Sequence, residues 1–113
     1  MAFTQVAQLT GDTDTYEISP QIKKYALMDT GFVQQANGSF QLLRQLETSK
    51  AFADSFKLKV VVNAELTGFK IKVVNAKGTA VINIFNHQNS AALKEQFGYF
   101  VDELIARDIL IRK

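Results

Sequence analysis

Phe56-Lys57-Leu58-Lys59-Val60-Val61-Val62-Asn63 is followed, after one short loop, by Phe69-Lys70-Ile71-Lys72-Val73-Val74-Asn75. Each segment alternates in polarity and is rich in β-branched residues, the pattern of a strand with one face on a core. Two copies of one strand do not make a solenoid, so the pair reads as neighbouring antiparallel strands. With Leu58, Val60, Val62, Phe69, Ile71 and Val73 inward, paired positions sum to an odd number. The loop Ala64–Thr67 then sets Lys59 opposite Lys72 and Val61 opposite Lys70.

Outward from this hairpin, Asn75-Ala76-Lys77-Gly78 turns the chain towards a further strand, expected over residues 79–85. Ala80, Ile82 and Ile84 match the core side. Val81, Asn83 and Phe85 would join the outer face. Upstream, Asn37-Gly38 signals a two-residue type I′ turn pairing 32–36 with 39–47, with Val33 opposite Leu42 and Ala36 opposite Ser39. One face then carries Val33, Phe40, Leu42, Arg44 and Leu46.

Two helices frame the strands. Ser19-Pro20 suits a helix start running to about Thr30, with Gly31 as its stop. Leu93, Phe97, Phe100 and Leu104 recur at helical spacing in a longer helix from Ser90 to about Arg107. Residues 3–9 and 14–18 read as two short strands. The apolar tail Ile109-Leu110-Ile111 needs cover. The order is strand or hairpin, helix, four or five antiparallel strands, helix. It implies an α+β fold, a curved antiparallel sheet with both helices on one face.

The chain has 113 residues and no Cys, the length of a single domain spanning 1–113. Without Cys it has no thiol nucleophile, thiolate metal site or disulfide. Asp12 and Asp14 alternate as in a calcium loop but lack its Gly and terminal Glu, so neither metal nor cofactor is expected. No basic-then-apolar leader opens the chain and no apolar run is long enough for a membrane helix, so the cytoplasm is the expected location. Net charge is +2, too little to imply nucleic acid. Residues 1–22 hold Asp12, Asp14 and Glu17 and no base, which leaves the rest net +5, 13 basic against 8 acidic.

GFVQQANGSFQLLR (31–44) and FKLKVVVNAELTGFKIKV (56–73), running on to VINIFN (81–86), resemble a small bacterial family labelled as amino-acid metabolism proteins. The resemblance implies a fold similar to the TATA-binding-protein class, strand–helix–four strands–helix. That family carries no established activity, so the resemblance assigns no catalytic residue.

The residues themselves hold no nucleophile elbow, phosphate loop or dinucleotide fingerprint, so no residue is assigned as catalytic. His87 is the single histidine, set among Asn86, Gln88, Asn89 and Ser90 with no carboxylate neighbour to orient it. Arg44, on an apolar strand face, must pair, reach the rim or grip an anion such as a small carboxylate ligand. Arg44, His87 and Asn83 are the candidate ligand-binding residues. Lys57, Lys59, Val61, Lys70, Lys72, Val74, Val81 and Phe85 share the expected outer face. Lysines there keep a sheet soluble, and lysines around an apolar strip also suit an interface.

The preferred reading is a non-enzymatic binding domain that uses this face for a homodimer or a protein partner. A small enzyme acting on an amino acid or related carboxylate, with Arg44 and His87, is the first alternative. A single-stranded nucleic-acid platform is the second.

Overall fold

The computed structural model describes residues 3–9, 12, 14–46, 51, 54–86 and 90–112. The central hairpin is the one its alternation predicts. Strands β5 (Lys57–Val62) and β6 (Phe69–Val74) pair antiparallel with Lys59 opposite Lys72, Val60 opposite Ile71 and Val61 opposite Lys70. Strand β4 (Phe40–Gln45) lies on the far side of β5, and the short β3 (Val33–Gln34) beyond it, giving a four-stranded sheet β3-β4-β5-β6. Leu58, Val60, Val62, Phe69 and Val73 are wholly buried, with Phe40, Leu42 and Leu46 beside them. These residues form the floor of the core.

The rest of the chain closes over that floor. Strands β1 (Val6–Ala7) and β2 (Tyr16–Ile18) pair antiparallel, as the sequence implies. The tail that needed cover is itself a strand: β7 (Leu110–Arg112) pairs with β2 and makes a second, three-stranded sheet β1-β2-β7. The β-structure is therefore divided between two sheets. An isolated bridge from Thr4 to Phe69, with hydrogen bonds of 3.2 and 2.8 Å, ties the start of the chain to the edge of β6.

Helix α2 (Ser90–Ala106) buries Leu93, Phe97, Val101 and Leu104, the face its periodicity marks. Helix α1 (Lys24–Thr30) begins later than the Ser19-Pro20 signal indicates. Ser19 Oγ instead accepts from Gln21 N–H at 3.1 Å and Ile22 N–H bonds Ser19 O at 3.2 Å, closing a separate turn. Gly31 ends α1 as expected, at φ 115. Its N–H reaches Met28 O and the N–H of Phe32 reaches Leu27 O, the paired bonds of a Schellman stop.

The Asn37-Gly38 turn is a hairpin turn, but not of type I′. Val33 lies opposite Gln41 and Gln34 opposite Phe40, one residue out of the expected register. Type I′ needs φ > 0 at both central residues, and Asn37 is not among the residues with positive φ, whereas Gly38 has φ 90. Asn37 Oδ1 accepts from the N–H and the hydroxyl of Ser39, at 3.0 and 2.7 Å, and Gly38 N–H bonds Gln35 O. This holds a three-residue loop with a glycine bulge. The slip moves Val33 to the outer face, where it is 62% exposed, and leaves Phe40, Leu42, Arg44 and Leu46 on the inner one.

The expected strand over 79–85 reduces to a bridge between Val74 and Val81, with Ile82 N–H on Val73 O at 2.8 Å. Asn83 Oδ1 then accepts from Phe85 N–H at 3.0 Å and the backbone tightens into a 3₁₀ turn, Ile84–Asn86. A short polar side chain competing for backbone N–H groups is a known strand breaker.

Candidate binding site on the open sheet face

The two turns that bound β6 are copies of one another. Asn63 Oδ1 accepts from the N–H groups of Thr67 and Gly68, and its amide donates to Thr67 Oγ1. Asn75 does the same for Thr79, Ala80 and Thr79 Oγ1. Each turn places its fourth residue in the left-handed region, Leu66 at φ 61 and Gly78 at φ 77. The repeat Asn-Ala-x-x-Thr in the sequence was the available signal, and it extends the strand repeat through both turns. These clamps fix β6 against β5 and so fix which side chains point outward.

The outward set is Gln41, Leu43 and Gln45 on β4, Lys57, Lys59 and Val61 on β5, and Lys70, Lys72 and Val74 on β6. No helix of the described chain lies among these positions' hydrogen-bonded neighbours, and none of the nine carries a negative charge. Lys59 directly faces Lys72. Among the described residues no carboxylate comes within ion-pairing distance of Lys59, Lys70 or Lys72. Lys70 Nζ sits 4.4 Å from the centre of the Phe3 ring, a cation–π contact at the edge of the sheet. A shallow depression of about 190 Å³ lies between Lys59, Val61, Lys70 and Lys72. A neighbouring one of about 240 Å³ lies over Leu43, Lys59 and Val74.

Three of the expected face residues differ from that reading. Lys57 is buried, its ammonium donating to Ala76 O at 3.0 Å and Ser55 O at 3.3 Å. Val74 is buried at the same end. Phe85 leaves the face altogether: its ring meets Phe97 of α2 edge-on, with centroids 6.1 Å apart. The cause is the Asn83 turn, which rotates Phe85 inward. Val81 remains out, half exposed at 51%.

The ligand-binding candidates are not drawn together by any described contact. Arg44 Nη2 donates to Thr30 O at 2.6 Å and Nη1 to Leu43 O at 3.3 Å. The guanidinium thus meets the last carbonyl of α1, where a cation is favoured by the helix dipole. Asn83 holds its own turn, as above. His87 lies outside the described residues. Asp12 Oδ2 accepts from the Tyr16 hydroxyl at 3.2 Å, and Asp14 pairs with Arg112 at 3.5 Å. Among the described residues no three His, Cys, Asp or Glu side chains are grouped to hold a metal ion.

A family model, DUF1831, described as "Putative amino acid metabolism", matches residues 1–111. The chain belongs to the DUF1831 family. The crystal structure of a DUF1831 family protein from Lactobacillus plantarum has a TM-score of 0.92 to this chain at 43% identity. The alignment covers 100% of this chain and 99% of that one. No curated protein matches the chain. Membership agrees with the resemblance carried by residues 31–44 and 56–86 and supports the α+β fold. Among the described residues of this DUF1831 chain, no helix is long and apolar enough to cross a membrane.

Proposed function

We propose that this protein is a binding domain, not a catalyst, acting in the amino-acid-metabolism setting of its family. It engages a protein partner, a second copy included, through the open face of the four-stranded sheet. One observation carries this reading: Lys59 opposes Lys72 on a face with no carboxylate among its described residues, with Lys70 beside them. Opposed like charges cost a few tenths of a kcal/mol, and an acidic partner surface would remove that cost. Val61 and Leu43, half-buried between the lysines, supply the apolar contact.

The alternatives have less support. Arg44, one of the two residues a small carboxylate-directed enzyme would use, is engaged with backbone carbonyls. A nucleic-acid platform needs stacking aromatics, and Phe85 packs on Phe97 instead.

Light scattering across a concentration series, at low and high salt, tests the reading. Lys59→Glu/Lys72→Glu is the matched variant, alongside retention on a poly-glutamate matrix. Salt-sensitive self-association or retention, weakened at least tenfold in the variant, supports it. A monomer that ignores poly-glutamate, or a variant that behaves as wild type in both assays, overturns it.

A further inference from the structure

An open groove lies away from the lysines, where the outer side of the three-stranded sheet meets the 19–22 turn and the β5–β6 loop. Its volume is about 440 Å³, within the range of about 300–1,000 Å³ usual for small-molecule sites. Glu17 stands in it. On adjacent strands Glu17 lies opposite Val6 and Ile111, so its carboxylate is set in an aliphatic strip. Among the described residues it has no cationic partner. Among the described residues no Lys or Arg lines the groove, while Ile22, Leu66 and Ile111 supply apolar wall.

Leu66 marks the groove independently. It occupies the left-handed position that Gly78 fills in the twin turn, with the same Asn–Thr clamp around both. A leucine there carries a backbone penalty of about 1–2 kcal/mol that glycine avoids. Its side chain is half-buried and packs against the core at the groove wall. Strain of this kind gathers at ligand sites.

We propose that this groove binds a small aliphatic primary amine, its ammonium on Glu17 and its alkyl chain along Ile22, Leu66 and Ile111. An ammonium has three N–H donors. Glu17 takes one, and Gln5 and Ser19, both lining residues, each carry a side-chain oxygen that can accept another. Ser19 Oγ already accepts from Gln21 N–H and keeps a second lone pair. With no base among the described lining residues, a carboxylate of the same carbon skeleton has no counterpart there.

Titration calorimetry on the full chain tests this site, which stands apart from the sheet face. The probes are isopentylamine, methylamine, isovalerate and Nα-acetyl-lysine amide. Isopentylamine binds more tightly than methylamine, by about fourfold for each methylene that reaches the wall, and isovalerate does not bind. Glu17→Gln weakens isopentylamine at least tenfold with an unchanged melting curve. Leu66→Gly, which relieves the backbone, weakens isopentylamine more than methylamine, and this holds as the deciding result if Glu17→Gln is unstable. The proposal is overturned if isopentylamine fails to bind, if isovalerate binds equally, or if both variants bind as wild type. It is also overturned if acetyl-lysine amide binds more tightly than isopentylamine, because the occupant is then a lysine side chain of a protein.

Discussion

Gly31 is held by two separate demands. Its φ of 115 lies in a region open to glycine and costly for other residues, and a Cβ there would run into the Arg44 guanidinium. Gly78, at φ 77, meets the first demand only, since nothing lies within 4 Å of its added Cβ. Gly31→Ala should therefore destabilise by about 2–3 kcal/mol and Gly78→Ala by about 1 kcal/mol. In an Arg44→Ala background the Gly31→Ala cost should fall towards that of Gly78→Ala, a non-additivity that urea denaturation of the four variants measures. Additive costs would remove Arg44 from the stop of α1.

Tyr16 gives a second residue-scale expectation. Burial, and then the neighbouring Asp12 carboxylate, push its hydroxyl up to about 12 from 10.0. A raised folded-state value means the neutral phenol is favoured in the fold. The stability it contributes is full below pH 10 and is lost as pH rises through 10 towards 12, up to about 2–3 kcal/mol in all. Tyr16→Phe should flatten the fall of the urea midpoint over that window, while leaving the curve below it level.

At the scale of the element, alternation was legible and turn chemistry was not. Leu58, Val60 and Val62 against Phe69, Ile71 and Val73 have one inward register, so the hairpin could be paired from its residues alone. Asn37-Gly38 admits more than one loop, and the choice rests on whether Asn37 turns its side chain back to Ser39. Asn83 acts the same way on Phe85. Those two asparagines account for the shifted β3 register and for the loss of Phe85 from the face. Arg44 and Lys57 were readable as charges on a strand, but each is also received by a carbonyl distant in sequence, 14 and 19 positions away. Glu17 was readable only as part of an acidic segment, because its groove is assembled from segments distant in sequence.

The tail shows the alternation rule at its shortest. Leu110 opposes Ile18 and is fully buried, while Ile111 opposes Glu17 and is 37% exposed. Leu110→Ala should cost about 2–5 kcal/mol, the range for a large-to-small core change. Ile111→Ala should cost less than about 1 kcal/mol, as a half-exposed site does. Equal costs in thermal or urea melts would mean that residues 109–112 do not alternate as a strand.

For the molecule as a whole, charge and fold pull in opposite directions on one surface. The inner side of β4, β5 and β6 is satisfied by α1, α2 and the second sheet through one continuous core. The outer side carries Lys59 against Lys72, with Lys70 two residues away and no carboxylate among the described outward positions. A surface arranged only for stability would alternate sign across those strands. Salt screens exposed charges, with a Debye length of about 10 Å at 0.1 M. It should therefore raise the folding stability of this chain slightly while weakening the proposed attachment to an acidic partner. Lys72→Gln removes one member of the opposed pair and should gain a few tenths of a kcal/mol at low salt, an increment that disappears at high salt. The same substitution should lower retention on poly-glutamate at low salt. Urea midpoints and retention, measured on the two proteins across one salt series, must move in opposite directions. If Lys72→Gln loses stability at low salt, the lysines are not in mutual repulsion, and the face is ordinary solvated surface.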